Sequence, residues 1–430
     1  MKKRWLTGLL VILFSGIAAG CGSGDSSNNS GEDVVELDMY SWRTEDRAAY
    51  EEIIAVFEEE NPDIKINFNP FEATEYNTIL TNALVSGTGP DIVQLRPYSG
   101  AQTIADNGYL VALDDIEGID NFDESYLEAA KGSDEKLYGI PLSLNIGLIY
   151  YNKAIFDEYN LEPPETWEEF IEVSQELKNN DVVPLSVGGR EAWLLSMLHG
   201  VITPTAYDGN AFVSDVIEGK ADLTDPRMME SLNRMEELTA YLPEGFTALD
   251  DNDSQALFYT EEAAMYVNGD FQLEVLENSN PDLSIGVIPG FKEEGSDEAL
   301  VMNWVDGSYG VVKGTEHEEE ALRFMEFMAS PEFGQLFTDN LSRVSAVEGV
   351  TASHDIIQQI MEASEVNSTP YLMLVHYGLG SPSTKGIFED GLQGMYLGEI
   401  TKEELLEQAQ ENAERAAEEG VEKLEMIEEE

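Results

Sequence analysis

The sequence LYGIPLSLNIGLIYYNKAIFDEYNLEPPETWEEF, at residues 137–170, carries the clearest structural pattern in the chain. Its apolar run at 146–151 has the length of a buried strand, and a short helix is predicted directly after it. The prolines at 163 and 164 then require extended backbone, because the proline ring fixes φ and disfavours helix in the residue before it. Thr166 and Glu169 form a capping-box pattern, which predicts that a new helix begins here.

Strands and helices alternate before this segment. Alternating apolar and polar residues predict strands at 34–40 and 64–68, and a short apolar run predicts another at 91–95. Apolar residues at helical spacing lie between them, and Thr44 is the expected cap of the first helix. The alternation predicts an α/β fold built from βαβ units with a mostly parallel sheet.

Candidate binding residues follow the predicted strands. Ligands of such sheets bind beyond the carboxyl ends of the strands, where the connecting loops meet. Trp42 and Glu45 follow the first strand, Glu72 follows the second, and Arg96 and Tyr98 follow the third. We therefore expect these five residues to lie near one another at one rim of the sheet.

The N-terminus predicts export and lipid anchoring. Residues 1–20 combine basic residues, an apolar run too short for a comfortable membrane span and a small-residue cleavage site, as in a signal peptide. The sequence at 18–21 resembles a bacterial lipobox, in which Cys21 is lipidated; the alternative is an ordinary secretory signal with an incidental cysteine. Residues 21–33 predict a flexible tether.

The charge of the chain excludes one class of partner. Against 85 acidic residues there are 23 Lys and Arg, which gives a formal net charge of -62. Nucleic acid is excluded as a partner because phosphate contacts need a basic surface. Such acidity is costly through self-repulsion unless salt screens it, so our hypothesis is a saline or alkaline habitat.

Motifs of the common enzyme and metal sites are missing from the sequence. It contains no Gly-x-Ser-x-Gly, P-loop, dinucleotide-binding or HExxH pattern. A single cysteine excludes an intrachain disulfide, and the four histidines lack metal-ligand spacing. Residues 250–261 partly mimic a calcium loop, but Gln255 stands where that loop needs glycine. We therefore predict no enzyme, no cofactor and no metal.

Three stretches resemble one family. The Tyr-Asn-Lys at 151–153, followed by a short helix and the Pro-Pro-x-Thr-Trp-x-Glu-Phe of 163–170, is similar to a signature of the maltose-binding-like family of extracellular solute-binding proteins, which serve carbohydrate ABC importers. SGTGPDIV at 86–93 and YTEEAAMYVNGDF at 259–271 resemble further motifs of that family. The resemblance covers nearly all of the chain after the tether.

The resemblance implies a two-lobed, type II periplasmic-binding-protein-like fold, in which each lobe is a mostly parallel sheet flanked by helices and several strands form the hinge. It places the crossings between lobes near 142–145, 286–289 and 341–346. The expected lobe 1 is therefore 34–143 plus 286–340, and the expected lobe 2 is 144–285 plus 341–430.

A sugar site needs flat aromatic faces for CH groups, together with carboxylates, amides and arginines for hydroxyls. Trp42, Trp193 and Trp304 are the aromatic candidates because polar residues surround them, whereas Trp167 is expected to pack locally at its helix start. Position 271 holds Phe where the family motif has Trp. Phe271 is therefore a further aromatic candidate, and the polar candidates are Glu45, Glu72, Arg96, Tyr98, Asn145, Arg190, Asp270 and Arg343.

Together, the residues and the resemblance predict a monomeric, lipid-anchored receptor on the outer face of the cell membrane. It would bind a small-molecule carbohydrate and deliver it to the transmembrane subunits of an ABC permease. Two alternatives stay open: a receptor for a non-sugar solute such as a polyamine or an iron complex, and a secreted carbohydrate-active enzyme such as a glycosidase or lyase.

Overall fold

The computed structural model describes residues 34–428 with the exception of 294, 379 and 381. The predicted signal peptide, the lipidation site Cys21 and the tether lie outside the described residues. In the part of the chain that is described, no helix is both long and apolar enough to cross a membrane.

The strands belong to two sheets. In chain order they are β1 (Val35–Ser41), β2 (Ile64–Pro70), β3 (Ile92–Leu95), β4 (Ile140–Pro141), β5 (Ser143–Asn152), β6 (Val183–Ser186), β7 (Ala263–Gly269), β8 (Ile285–Ile288), β9 (Gly290–Lys292), β10 (Ala299–Val305), β11 (Ser308–Val311), β12 (Val344–Ser345) and β13 (Ser368–Pro370).

Helices connect and cover these sheets. In chain order they are α1 (Arg47–Glu60), α2 (Ala73–Ser86), α3 (Ser99–Asp106), α4 (Glu124–Leu127), α5 (Lys153–Tyr159), α6 (Trp167–Asn179), α7 (Ala192–Ile202), α8 (Gly209–Ile217), α9 (Pro226–Leu238), α10 (Asp251–Tyr259), α11 (Leu273–Ser279), α12 (Glu318–Met328), α13 (Pro331–Leu341), α14 (Asp355–Val366), α15 (Leu372–His376), α16 (Thr384–Leu397) and α17 (Lys402–Glu428).

The smaller sheet has the strand order β2–β1–β3–β11–β4. Its β1 pairs in parallel with β2 and β3, as the alternation of elements predicted, whereas β11 runs antiparallel to β3 and β4. Ile92 joins a core with helices α1, α12 and α13, and its neighbour Val93 joins another with α2 and α3. Because successive strand residues point to opposite faces, this sheet is covered on both sides.

The larger sheet has the order β13–β10–β5–β7–β6, with β8 and β12 also paired to β5 and β9 paired to β10. All four partners of β5 run antiparallel to it. Only the described pairs β6–β7 and β10–β13 are parallel, so this sheet is mixed rather than mostly parallel. The predicted strand at 146–151 is real and longer than expected, and its apolar residues are buried.

The chain passes between the two sheets at three places. The first lies between β4 and β5, within the expected 142–145. The second lies at 306–307 and not at the expected 286–289, because β8, β9 and β10 all pair within the larger sheet. The second segment of the smaller-sheet lobe therefore begins near Ser308 rather than at 286. The third lies between α13 and β12, within the expected 341–346.

Helix starts follow the sequence in two of three cases. Thr166 Oγ accepts from the Glu169 amide at 3.2 Å, although the Glu169 carboxylate bonds the Glu165 amide. The same Thr-x-x-Glu pattern occurs at Thr401 and Glu404, where it predicts another helix start, and there the two hydrogen bonds are reciprocal at the beginning of α17. The first helix differs: α1 begins at Arg47 and not after Thr44, and the carboxylate of Asp46 binds an arginine instead of capping the helix.

Candidate functional site

A group of polar residues lies where the chain passes between the sheets. We call Arg43, Asp46, Asn145, Asp306 and Arg343 the junction network. Arg43 and Asp46 follow β1, Asn145 lies on β5, Asp306 separates β10 from β11, and Arg343 precedes β12. All three passages between the sheets therefore contribute to one network.

Asp306 and Asp46 are the anions of this network. The Arg43 guanidinium contacts Asp306 Oδ2, and Asn145 Nδ2 donates to Asp306 Oδ1 at 2.9 Å. Arg343 donates to Asp46 Oδ2 at 2.7 Å, and Arg43 Nε lies 3.8 Å from the same oxygen. Each arginine is thus held by a carboxylate, and Arg43 connects the two anions.

Electrostatics keep Asp306 and Arg43 ionised. Burial acts to raise the pKa of Asp306, but Arg43 and Arg343 outweigh it and bring that pKa below its usual range. Burial likewise acts to lower the pKa of Arg43, and Asp306 and Asp46 more than reverse this. The network therefore presents fixed charges at the boundary of the two sheets.

Asp270 lies at the edge of this network and is almost fully buried. It opens a 3-10 turn directly after β7, and its Oδ1 accepts from the Ile146 amide at 2.8 Å. Its Oδ2 has no hydrogen-bond partner among the described residues. Burial raises the pKa of Asp270 to about 7, and the hydrogen bond from the Ile146 amide and the charge of Arg343 only partly offset this rise.

Trp42 and Arg96 form a stacked pair beside the network. The Arg96 guanidinium lies 4.0 Å from the centre of the Trp42 ring, and Tyr76 meets the same ring edge-on at 5.5 Å. Only 5 % of Trp42 is exposed. The sequence placed Trp42 and Arg96 together correctly, but the indole face expected to stack on a ligand is covered by Arg96.

A cavity of about 740 Å³ lies between elements of both sheets. Tyr98 and Gln102 line it from the side of α3, and Asn303 and Trp304 line it from β10. The Tyr98 hydroxyl accepts from the Val305 amide at 3.2 Å, so it bridges the two sides. Two of the predicted site residues, Tyr98 and Trp304, therefore share one cavity.

A smaller cavity of about 320 Å³ adjoins it. Tyr76, Gln94 and Arg96 line it from the smaller sheet, and Gly378 lines it from the other side. Ser99 and Gly378 border both cavities, and Ser99 Oγ donates to the Gly378 carbonyl at 3.2 Å. The two cavities thus meet at a contact between the lobes.

Several predicted residues lie elsewhere. Glu45 and Glu72 are exposed, and Glu45 contacts the network only through Arg43 at 3.4 Å. Arg190 is exposed and paired with Asp250, which caps α10 through a capping box with Asp253. Asp250 therefore has a structural role at the start of α10.

Trp193 and Phe271 are half-buried against the core of the larger sheet and do not line either cavity described above. Trp167 is buried and stacked on Phe170, as its place at a helix start predicted. The aromatic candidates therefore separate into cavity-lining Trp304, covered Trp42, and core-packed Trp193 and Phe271.

Sequence reasoning missed Asp306, Arg43 and Asp46 as members of the site. Each lies within four residues of a tryptophan that was chosen: Asp306 is two residues after Trp304, and Arg43 and Asp46 are one and four residues after Trp42. The available signal was a charged residue in a short loop directly after a strand. It did not reveal that these charges bind one another.

Comparisons with known proteins agree with this architecture. The family model described as bacterial extracellular solute-binding protein matches residues 40–335. The multiple sugar-binding protein of Streptococcus mutans is 27% identical over 356 residues, which cover 81% of this chain and 83% of that protein. The melibiose/raffinose/stachyose-binding protein MelE of Bacillus subtilis is 22% identical, covering 86% and 87% of the two chains.

Solved structures share the fold. RafE from Streptococcus pneumoniae superposes with a TM-score of 0.74 at 22% identity, covering 89% of this chain and 97% of that one. A chitin oligosaccharide binding protein gives 0.73 at 22%, with coverages of 89% and 99%. These similarities confirm the predicted two-lobed fold. With its model match over most of the sequence, the chain belongs to the bacterial extracellular solute-binding protein family.

Proposed function

We propose that this protein is the substrate-binding receptor of an ABC importer, and that it captures a sugar or oligosaccharide between its lobes. The relatives named above are sugar-binding proteins, one of them for melibiose, raffinose and stachyose. The receptor would then deliver its ligand to the membrane permease. No chemical reaction is part of this role.

The cavity of about 740 Å³ is the observation that carries the proposal. Its volume falls in the range of small-molecule sites, roughly 300–1,000 Å³. The rings of Tyr98, Tyr126 and Trp304 supply flat apolar faces, and Gln102 and Asn303 supply amides for hydroxyl groups. This combination suits the two kinds of surface that a sugar ring offers.

A ligand in this cavity would contact both lobes. Residues 98–135 line it from the smaller-sheet side, and β10 with residues 364–378 lines it from the other. Only a ligand that interacts more favourably with the closed form can shift the balance toward closure. Contacts to both sides supply that difference, as transport receptors require.

The remaining site candidates divide into two groups. Asn145, Asp270 and Arg343 lie in or beside the junction network, and Trp42 would serve as a stacking surface once Arg96 moves from its face. Trp193, Phe271, Glu45, Glu72 and Arg190 stay predictions away from the cavity. We further propose that Cys21 carries a lipid anchor on the outer face of the membrane and that the receptor is a monomer.

A cationic solute such as a polyamine is the second candidate. Asp123, Glu128, Glu135 and Glu365 border the cavity, whereas Lys131 is its one lysine among the described lining residues and is itself paired with Glu128. A lining with this charge favours cations over anions through direct Coulomb attraction.

A thermal-shift screen in high salt tests the proposal. The panel contains raffinose, stachyose, galactose, chitin oligosaccharides and spermidine. A ligand specific for the folded state stabilises it by about 2.7 kcal/mol at a hundredfold excess over Kd. We expect one sugar to raise Tm, and we expect Trp304→Leu to abolish that shift.

Trp193→Leu is the matched control, since Trp193 packs on the same core without lining the cavity. It should lower Tm without removing the sugar-induced shift. A Tm shift with spermidine and with none of the sugars would mean that the ligand is a cation rather than a sugar. A sugar-induced shift that survives Trp304→Leu and disappears in Trp193→Leu would place the site outside this cavity.

A further inference from the structure

The two adjoining cavities are lined by opposite charges. Carboxylates border the larger one, as described above. Among the twelve described residues that line the smaller one, Arg96 is the one that carries a charge. Aspartate and glutamate make up 85 of the 430 residues of the chain, so this lining departs from its overall composition. The smaller cavity therefore offers an anion a cation at close range, without an acid among the described residues of its lining.

Arg96 is held in place from two sides. Its guanidinium lies 4.0 Å from the centre of the Trp42 ring, a contact that cation–π attraction favours. Gly100 makes room for the side chain, because a Cβ atom at residue 100 would lie 2.5 Å from the Cβ atom of Arg96. Stacking uses the flat face of the guanidinium, whereas the N–H groups at its edge match the two oxygens of a carboxylate. A ligand bound through those groups leaves Arg96 on Trp42.

Other polar groups of the smaller cavity suit a sugar ring. The hydroxyls of Thr81 and Thr103 donate to the backbone carbonyls of Asn77 and Ser99 at 2.8 and 2.7 Å. Their oxygens can therefore still accept hydrogen bonds from the hydroxyl groups of a ligand. The volume of about 320 Å³ is at the lower end of the range for small-molecule sites. The cavity thus combines acceptors for hydroxyl groups with a cation for an anionic group.

We infer that the smaller cavity binds the anionic group of an acidic sugar, such as the carboxylate of a uronic acid, and that Arg96 selects this group. The inference rests on the proposed sugar-binding function and deepens it, because it names the class of sugar. The two cavities meet at Ser99 and Gly378. The rest of the ligand therefore extends toward Tyr98 and Trp304 in the larger cavity.

The negative charge of the whole chain does not prevent this binding. Exposed carboxylates are largely screened beyond about 8 Å at physiological ionic strength, whereas a contact between Arg96 and a bound anion is screened far less. Asp306 and Arg43 are the nearby charges with the largest effect on Arg96, and they act in opposite directions. Asp306 is also bonded by Arg43 and Asn145. The attraction of a bound anion to Arg96 at contact distance therefore outweighs the repulsion from distant surface acids.

Isothermal titration calorimetry with matched sugar pairs tests the inference in about 0.15 M salt. The pairs are galacturonate with galactose, glucuronate with glucose, and cellobiouronate with cellobiose. We expect an acidic member to bind the wild-type protein about tenfold more tightly than its neutral partner, because hydrogen bonds between ions are the stronger kind. Arg96→Gln should remove this preference. A preference that survives Arg96→Gln would overturn the inference.

Arg47→Gln is the matched control. It removes the same charge from the same lobe, but Arg47 lies on α1, its side chain is 52% exposed, and it lines neither cavity. This variant should keep the preference for the acidic sugar. Loss of the preference in both variants would mean that the net charge of the chain selects the ligand, and would also overturn the inference.

The test stays decisive if Arg96→Gln fails to fold. Arg96→Met then replaces it, since the unbranched apolar side chain of methionine can also pack on the indole, and the same loss of preference is expected. Neutral sugars that bind the wild type as tightly as their acidic partners would overturn the inference and leave the proposed function intact. If no sugar, neutral or acidic, bound here or in the thermal-shift screen, the proposed function would fall, and the inference with it.

Discussion

Arg343 and Arg190 are two candidate arginines of the same rank in the sequence, and the structure separates them. Arg343 and its partner Asp46 have side chains that are 11% and 3% exposed. Arg190 and its partner Asp250 are 57% and 21% exposed. Water stabilises the unpaired ions of the second pair but cannot reach those of the first. An Arg–Asp ion pair therefore contributes strongly to stability at the junction and contributes little at the surface.

The same substitution at both positions tests this difference most strongly. Arg343→Gln leaves Asp46 buried, with Arg43 at 3.8 Å as its nearest cation, and should lower the free energy of unfolding by about 3–5 kcal/mol. Arg190→Gln should lower it by less than about 1 kcal/mol. Urea unfolding followed by circular dichroism measures both, and equal losses would remove the distinction.

The fold was predictable where neighbours along the chain determine it. The strand at 146–151 and the cap at Thr166 follow from local pattern, and both are present. The partner of β8 was not predictable, because an apolar strand contains no record of the strand it will meet. The expected crossing at 286–289 was wrong for that reason, since β8 pairs with the distant β5.

The site was predictable in its residue types and not in its contacts. Arg343 and Asp46 are 297 positions apart, and nothing in either stretch indicates the other. Trp42 and Arg96 were both chosen, yet only the structure reveals that the cation covers the ring. Contacts of this kind depend on how the two sheets approach, which local sequence does not determine.

Asp270 is a buried carboxyl like Asp46, but one of its two oxygens has no hydrogen-bond partner among the described residues. Its pKa is about 7 in the folded protein and roughly 3.9 in the unfolded chain. The protonated folded form therefore contributes stability that is complete below about pH 4 and is lost as pH rises through about 7.

Between about pH 5 and 8, wild type should lose on the order of 3 kcal/mol relative to Asp270→Asn, which cannot titrate at this position. Urea unfolding of both proteins across this range gives the difference. Because the other acidic residues are common to both chains, their contribution cancels. Parallel pH profiles would mean that Asp270 has an ordinary pKa.

Tyr98 makes a hydrogen bond between uncharged groups at the boundary of the two sheets, and its loss should have the smallest effect on the free energy of unfolding. Its φ of 56° lies in the left-handed region, which is unfavourable for tyrosine, and its hydroxyl accepts from the Val305 amide across the junction. Tyr98→Phe keeps the ring in the cavity but leaves that amide unpaired, at a cost of about 1–2 kcal/mol.

Ser99→Ala is the matched control for Tyr98→Phe, since Ser99 Oγ makes the neighbouring contact to the Gly378 carbonyl. That carbonyl lies at the border of two cavities, where solvent can replace the lost donor, so the expected loss is below about 1 kcal/mol. Thermal unfolding in the same buffer ranks the two variants. If Ser99→Ala were the more destabilising variant, the Ser99–Gly378 hydrogen bond would hold the lobes together more strongly than the Tyr98–Val305 hydrogen bond does. Burial would then not explain the order of the two losses in stability.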